Sequence, residues 1–252
     1  MDERSLSVAL GSRPFRYYET VGSTNTAAKE WLTSGDPPES GAVVAAEEQT
    51  EGKGRHGRRW VTPCGAAVAM SVVLEAAQPG VVSAAAALAV KDAISPLVDA
   101  EVGIKWPNDI ELDGRKCAGI LVESVGGSGL DYYIVGIGIN VSVDFVDAAD
   151  LRDRATSICA FRDCGRLPVD RAKLIAEVAD NLSVYWRSSG VTDRWRAELT
   201  TLGTGVRVSV GTTVVEGRAI DVDPDGRLLV KDVNGVVHRL SAGDVTRAES
   251  RI

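Results

Sequence analysis

Apolar and polar positions divide the chain into two stretches with different rhythms. Before residue 145, short apolar runs alternate with turn residues. Runs of Val, Ile and small residues bounded by Gly, Pro, Asn or Asp predict strands over Ala42–Glu47, Ala67–Leu74, Val102–Leu112, Cys117–Val125 and Asp131–Val141. Branched side chains suit a pleated surface, and the turn residues end it. Asn25–Thr33, Val82–Val98 and Pro168–Arg187 carry the signals of helices, the last opening on proline with apolar residues close to helical spacing. A shorter helix is expected over Thr192–Thr200. The strands follow one another like hairpins, with one long helix among them, so the pattern predicts an α+β mixed sheet with helices packed on it and no regular βαβ array.

After Gly203 the rhythm shortens. Val206, Val208 and Val210 alternate with Arg207 and Ser209, and the runs Thr213–Val222, Leu228–Val233 and Val236–Leu240 follow. Asp225-Gly226 and Asn234-Gly235 separate those runs, and both are hairpin turn pairs. A small all-β unit is expected here, barrel or sandwich, which divides the chain into 1–203 and 204–252.

A chain of 252 residues with 44% hydrophobic positions can bury a sizeable core without disulfides or metals. Cys64, Cys117, Cys159 and Cys164 therefore read as reduced thiols of a cytoplasmic protein. With only His56 and His238 as imidazoles, a structural zinc site and a Ser-His-Asp triad both lack material. The opening MDERSLSVALGS is not a secretory signal, and the apolar segment Val81–Val90 reads as too short to cross a bilayer. Net charge −7 speaks against general affinity for nucleic acid, and makes the four cations between residues 53 and 59 conspicuous.

Those cations sit in Gly52-Lys53-Gly54-Arg55-His56-Gly57-Arg58-Arg59-Trp60, whose first six residues fit G-x-G-x-x-G. A dinucleotide site needs a helix to open there, but Pro63 and Gly65 interrupt any helix and a strand-like run follows. A Walker A loop fails because Arg58-Arg59 replace Lys-Ser/Thr, and a kinase loop fails for want of H-R-D and D-F-G. What remains is backbone N–H groups left bare by glycine, guanidinium forks for phosphate or carboxylate, and the flat face of Trp60. A solvated basic loop with Trp60 as a core anchor is the alternative.

Four further segments are each ambiguous alone. Lys105-Trp106-Pro107-Asn108-Asp109 is a strand interrupted by proline, either a bulge that re-aims side chains or a plain hairpin. Lys116, before Cys117-Ala118-Gly119-Ile120-Leu121-Val122-Glu123, is either a charge partner for an anion or edge decoration. Gly136-Ile137-Gly138-Ile139-Asn140 sets two glycines inside a strand, for close approach of a ligand or for packing. Gly22-Ser23-Thr24-Asn25 reads as a helix cap or as polar ligand contacts.

In this order and spacing, GSTN, EEQTEGKGRHGRRW, KWPNDI, KCAGILVE and GIGINV resemble the biotin protein ligases, and the stretch ending LSAGDV resembles that family's SH3-like barrel. The resemblance implies the catalytic fold shared with class II aminoacyl-tRNA synthetases, plus a small C-terminal SH3-like β-barrel. It implies ATP and biotin as substrates, with Mg²⁺ accompanying ATP. Biotin is activated as biotinyl-5′-AMP and transferred to a lysine of a biotin carboxyl carrier domain. It further implies that Ser23, Thr24, Asn25 and Gln49 meet the biotin head, with Gly52, Lys53 and Gly54 nearby. Gly119, Leu121, Gly136 and Gly138 would wall the biotin pocket. Lys116 would meet the biotin carboxylate and the reacting phosphoryl centre, and Arg55 would retain the adenylate. His56, Arg58, Trp60, Lys105, Asn108 and Asn140 fall on the nucleotide side, and Asp109 is a candidate Mg²⁺ ligand.

Lys53 departs from the family's usual arginine, which keeps charge but loses the planar fork. Only about 20 residues precede GSTN, so a short class without DNA-binding activity is expected, monomer or homodimer, with no membrane partner. Two other readings compete. A lipoate–protein ligase shares the fold and the adenylation chemistry, but its arginine pair and later His-Asp are not visible. A nucleic-acid-binding module would use the basic loop and the small barrel, against the net charge.

Overall fold

The structure is a computed structural model that describes residues 1–75, 79–126, 132–146, 148, 150–162 and 168–247. Helices α1 (Glu3–Leu10), α2 (Thr24–Leu32), α3 (Pro79–Ile94), α4 (Arg171–Tyr185) and α5 (Val191–Ala197) accompany strands β1 (Phe15–Val21), β2 (Val43–Gln49), β3 (Ala67–Glu75), β4 (Val102–Lys105), β5 (Asp109–Leu112), β6 (Arg115–Val125) and β7 (Tyr132–Asn140). These strands form a seven-stranded sheet in the order β1-β2-β3-β7-β6-β5-β4. Only β1 and β2 run parallel; every other pair is antiparallel. The expected mixed sheet with helices packed on it is what forms.

One face of this sheet packs on α3, which in turn packs on α4 and α5. Alanines fill α3 from Ala84 to Ala89, all buried, and their small side chains let the helix lie close to the sheet. The run Gly80–Leu97 is long and apolar enough to cross a membrane by length and composition. This corrects the shorter estimate from Val81–Val90: the apolar stretch extends further, and its burial between sheet and helices makes it a core element. On the opposite face lies α2, through Ala27, Ala28 and Leu32 against Val44, Val73 and Ile134.

Strands β8 (Gly205–Val210), β9 (Thr213–Val222), β10 (Leu228–Lys231), β11 (Val237–Leu240) and β12 (Asp244–Arg247) make a second antiparallel sheet in the order β11-β10-β9-β8-β12. Both predicted hairpin turns are present, with Gly226 and Gly235 at φ 79° and 84°. Among the described residues β11 and β12 remain unpaired edges, so this is an open sheet where a barrel was expected. Its inner residues Val206, Val208, Ala219 and Val230 join the main core.

Two further differences have local causes. The single strand expected over Val102–Leu112 is two strands, because the chain turns at Trp106-Pro107-Asn108, where proline has no N–H to give a ladder. Helix α1 and strand β1 escaped the sequence reading, although Asp2 and Ser5 form a capping box. Strand β1 is a sheet edge whose burial does not alternate, so it carries no period-two signal. Cys64, Cys117 and Cys159 are free thiols; Cys164 and Asp131 lie outside the described residues. Burial pushes the Cys117 thiol up to about 12, which leaves it an inert core group.

Glu47 at the end of β2 accepts from Gly65 N–H at 2.7 Å and pairs with Arg171 Nη1 of α4 at 2.8 Å. Burial pushes its carboxyl up, but the Arg171 and Gly65 bonds outweigh that and hold it below the usual glutamate range. A carboxyl depressed on folding adds stability that is complete above the ordinary value of 4.5 and is lost as pH falls through the folded-state value. Glu47→Gln should lower stability at neutral pH by about 2 kcal/mol. Denaturant titrations should also show a smaller acid loss in the variant than in the parent chain.

Candidate active site

Side chains alternate across a strand, and in β7 the alternation separates packing from chemistry. Val135, Ile137 and Ile139 belong to the core on the α3 side. Gly136 and Gly138 face the other way, with Asn140 at the strand end. Register sets Gly136 beside Ser71 and Leu121, and Gly138 beside Ala69 and Gly119. A band of short side chains therefore crosses three strands where the cover of α2 ends. Its β6 and β7 members, Gly119, Gly136 and Gly138, line the floor of a cleft of about 870 Å³.

The two β7 glycines have a steric reason. A Cβ on Gly136 would collide with the Asn25 amide, and one on Gly138 with the Trp60 indole. A Cβ on Gly119 would stand 3.2 Å from both Lys116 and Trp60. The close approach at these glycines is made by the chain's own side chains, so the packing explanation accounts for both of them.

At one end of the cleft the polar groups are buried and interlocked. Gln49 Oε1 accepts from Thr24 N–H at 2.8 Å and lies 3.1 Å from Thr24 Oγ1. Because the backbone N–H can only donate, it fixes the amide with Nε2 toward Thr62, 3.2 Å away. Ser23 precedes α2 in extended conformation and makes no capping bond. The capping explanation of Ser23 therefore fails, and its hydroxyl is left to the cleft that it lines with Thr24, Asn25 and Gln49.

The basic loop lies over this floor as a small hairpin. Bridges join Gln49 to Thr62 and Lys53 to Arg59, and Trp60 N–H donates to Gly52 C=O at 2.8 Å. A single turn over Arg55–Gly57 forms the tip, with Gly57 at φ 73°. No helix opens here, in keeping with the rejected dinucleotide fingerprint. Each cation has a partner: Lys53 Nζ donates to Thr26 at 3.1 Å, Arg55 to Asn108 Oδ1 at 3.3 Å and Arg59 to the Thr50 carbonyl at 3.0 Å. Arg58 pairs with Asp244, the first residue of β12. Burial lowers the Arg55 pKa, against the opposing pull of Asp109 and Asp244. A guanidinium withdrawn from water in this way interacts strongly with an anion that reaches it.

The far wall is the turn between β4 and β5. Trp106 is buried, with its N–H on Thr201 Oγ1 and its indole N–H on the Gly226 carbonyl, both at 2.9 Å. That fixes Lys105, Asn108 and Asp109 at the cleft. Lys105 pairs with Glu111 at 3.2 Å, and Asn108 donates to the Ile120 carbonyl. A register shift between β5 and β6 falls at Ile110/Glu111, beside Lys116. The other backbone side of Lys116 pairs with residues 154–156. Lys116 is therefore enclosed within a sheet and is not edge decoration. Its Nζ lies 2.6 Å from Asp109 and 5.6 Å from the Trp60 ring centre.

Of the residues singled out in the sequence, Ser23, Thr24, Asn25, Gln49, Lys53, Gly54, Arg55, Arg58, Trp60, Lys105, Asn108, Lys116, Gly119, Leu121, Gly136, Gly138 and Asn140 all line this one cleft, with Asp109. Three of the assigned residues have neighbours that bear on their roles. Gly52 is not at the cleft surface; it is glycine because the Trp60 carbonyl lies where its Cβ would stand. Trp60, assigned to the nucleotide side, lies on Gly138 and Gly119, the glycines assigned to the biotin pocket. Asp109 as a metal ligand is already engaged by Lys116, and no group of three acidic, His or Cys side chains gathers among the described residues. The side chain of His56 lies outside the described residues. The stretch after β7, which the sequence reading passed over, adds Phe145, Asp144 and Arg154 to the rim.

Residues 17–140 match the Biotin/lipoate A/B protein ligase family, and residues 201–246 match the Biotin protein ligase C terminal domain. The biotin–[acetyl-CoA-carboxylase] ligase of Mycobacterium tuberculosis is 35% identical over 97% of this chain and 95% of its own length. The bifunctional ligase/repressor BirA of Bacillus subtilis is 32% identical over 90% of this chain and 72% of its own length. Among solved structures, the biotin protein ligase of Aquifex aeolicus in complex with biotin and ATP shares the fold, with a TM-score of 0.76 at 23% identity over 93% of this chain and 99% of that one. The ordered motifs, the cleft that they share and this near full-length similarity make the chain a member of the biotin protein ligase family.

Proposed function

We propose that the chain is an ATP-dependent ligase that activates biotin as biotinyl-5′-AMP and transfers it to a lysine of a biotin carboxyl carrier domain. The observation that carries this reading is the continuity of the cleft. A buried polar end (Ser23, Thr24, Gln49) leads over a glycine floor to Lys116, and then to Arg55, Lys105 and Asn108. A ligand with a polar head, an apolar middle and an anionic tail fits that sequence of environments.

In the first step a carboxylate oxygen of biotin attacks the α-phosphorus of ATP, and pyrophosphate leaves. Two anions must meet, so the barrier is largely electrostatic. Lys116 stands where the tail and the phosphoryl group converge, aimed by Asp109 and backed by Trp60. Arg55 reaches across from the loop to Asn108, so an adenylate would lie between loop and wall. In the second step the carrier lysine amine attacks the acyl carbon and AMP leaves. Until then the loop keeps water from the anhydride. Mg²⁺ would enter with ATP, as counter-charge to its phosphates. The division of labour between 1–203 and 204–252, catalysis in the first and a supporting wall in the second, belongs to the same proposal.

Lys116→Ala should slow biotin-dependent ATP–pyrophosphate exchange roughly 10²- to 10³-fold. Near-parental exchange in that variant would sink the role of Lys116. Arg55→Gly should release adenylate early, so that mass spectrometry finds biotin on bystander lysines of an added carrier protein. A variant that labels the carrier lysine alone would show that Arg55 does not retain the intermediate.

A further inference from the structure

Ser71 is the one polar residue in the otherwise apolar run Ala67–Leu74 of β3, and it is fully buried. It does not line the cleft; it lies beneath it, beside Gly136. Its Oγ is 2.6 Å from Asn25 Oδ1 and 2.8 Å from Thr24 Oγ1. Asn25 in turn donates from Nδ2 to Glu123 Oε2 at 2.6 Å, and Nδ2 also lies 3.5 Å from the Leu121 carbonyl. Glu123 is an exposed residue of β6, three strands' width from where the chain of contacts ends.

The orientation of the Asn25 amide in this chain follows from Glu123. A carboxylate only accepts, so Glu123 turns the Asn25 amide with Nδ2 outward and Oδ1 inward. The bare face of Gly136 lets that amide lie flat against the sheet. Asn25 Oδ1 also only accepts, and the Ser71 hydroxyl donates toward it and toward Thr24 Oγ1. The Thr24 hydroxyl in turn donates to Gln49 Oε1 at 3.1 Å, away from Ser71. Gln49 Oε1 also takes the Thr24 N–H, which can only donate and so fixes the amide with Nε2 toward Thr62. Thr24 Oγ1 is left with lone pairs toward the cleft and no proton to give.

We propose that Ser71 and Glu123 are positioning residues that act through Asn25 to fix Thr24 as a hydrogen-bond acceptor, so that the polar end of the cleft selects a ring bearing an N–H donor. The inference rests on the biotin reading, because a cyclic urea offers that N–H and a dithiolane ring does not. A ring without it leaves a buried oxygen unpaired, and a site built to hydrogen-bond rejects such a ligand more strongly than a merely apolar pocket does.

The test is steady-state kinetics and direct binding of biotin by Ser71→Ala, Glu123→Ala and the double variant, with lipoate as the comparison ligand. Each single change should raise the KM and Kd for biotin by about 10-fold. The kcat at saturating biotin and the KM for ATP should stay within about twofold, and lipoate should bind as weakly as before or better. The double variant should lose no more than Ser71→Ala does, since both changes break one relay. A parent chain that does not bind biotin overturns the ligase reading itself. A parent chain that binds biotin, beside a folded Ser71→Ala within twofold of it, overturns the relay alone. If Ser71→Ala does not fold, Glu123→Ala at the exposed end decides: biotin affinity within twofold of the parent overturns the relay, and a 10-fold loss upholds it. Losses that add in the double variant, or that fall on kcat, also overturn it.

Discussion

The structure depends on a close approach at two points on one strand. Asn25 from α2 and Trp60 from the basic loop both lie directly on β7, and each occupies the space that a Cβ of Gly136 or Gly138 would take. Through Asn25 the helix is set against the sheet, which fixes Thr24 and so Gln49. Through Trp60 the loop is folded down, which brings Arg55 to Asn108 and sets an aromatic wall beside Lys116. Any larger residue at either glycine would lift an element off the sheet, and the polar end, the loop and the cationic end would lose their common geometry. A missing methyl group is what allows three separate segments to form one site.

The far wall is held differently. The turn between β4 and β5 takes its position from Thr201 and from Gly226, the hairpin turn of the second sheet. Arg58 makes a second link by pairing with Asp244. The second sheet is therefore part of the site's support and also of its rim, where Gly243, Asp244, Val245 and Thr246 lie. Its failure to close into a barrel among the described residues leaves β12 as a free edge on the cleft side.

Much of this was legible in the sequence because the signals are local. The Gly-Ile-Gly-Ile alternation separates the two faces of β7, Pro107 marks the break between β4 and β5, and Pro63 with Gly65 rules out a helix after the basic loop. What escaped depends on distant partners. Strand β1 sits at a sheet edge, where no alternation is imposed. Gly52 looked like part of a ligand-contacting loop, but its constraint comes from the Trp60 carbonyl. Ser71 stands out as a polar residue in an apolar strand, yet nothing near it in sequence says that its partners are Thr24 and Asn25. Propensity and period report a residue's own element, and they are silent on what another element lays against it.

The four loop cations are all engaged within the fold, with Thr26, Asn108, Asp244 and the Thr50 carbonyl. These contacts spread the loop's charge over α2, the turn after β4 and the second sheet, so the loop is tied to three separate parts of the fold through its cations as well as through Trp60.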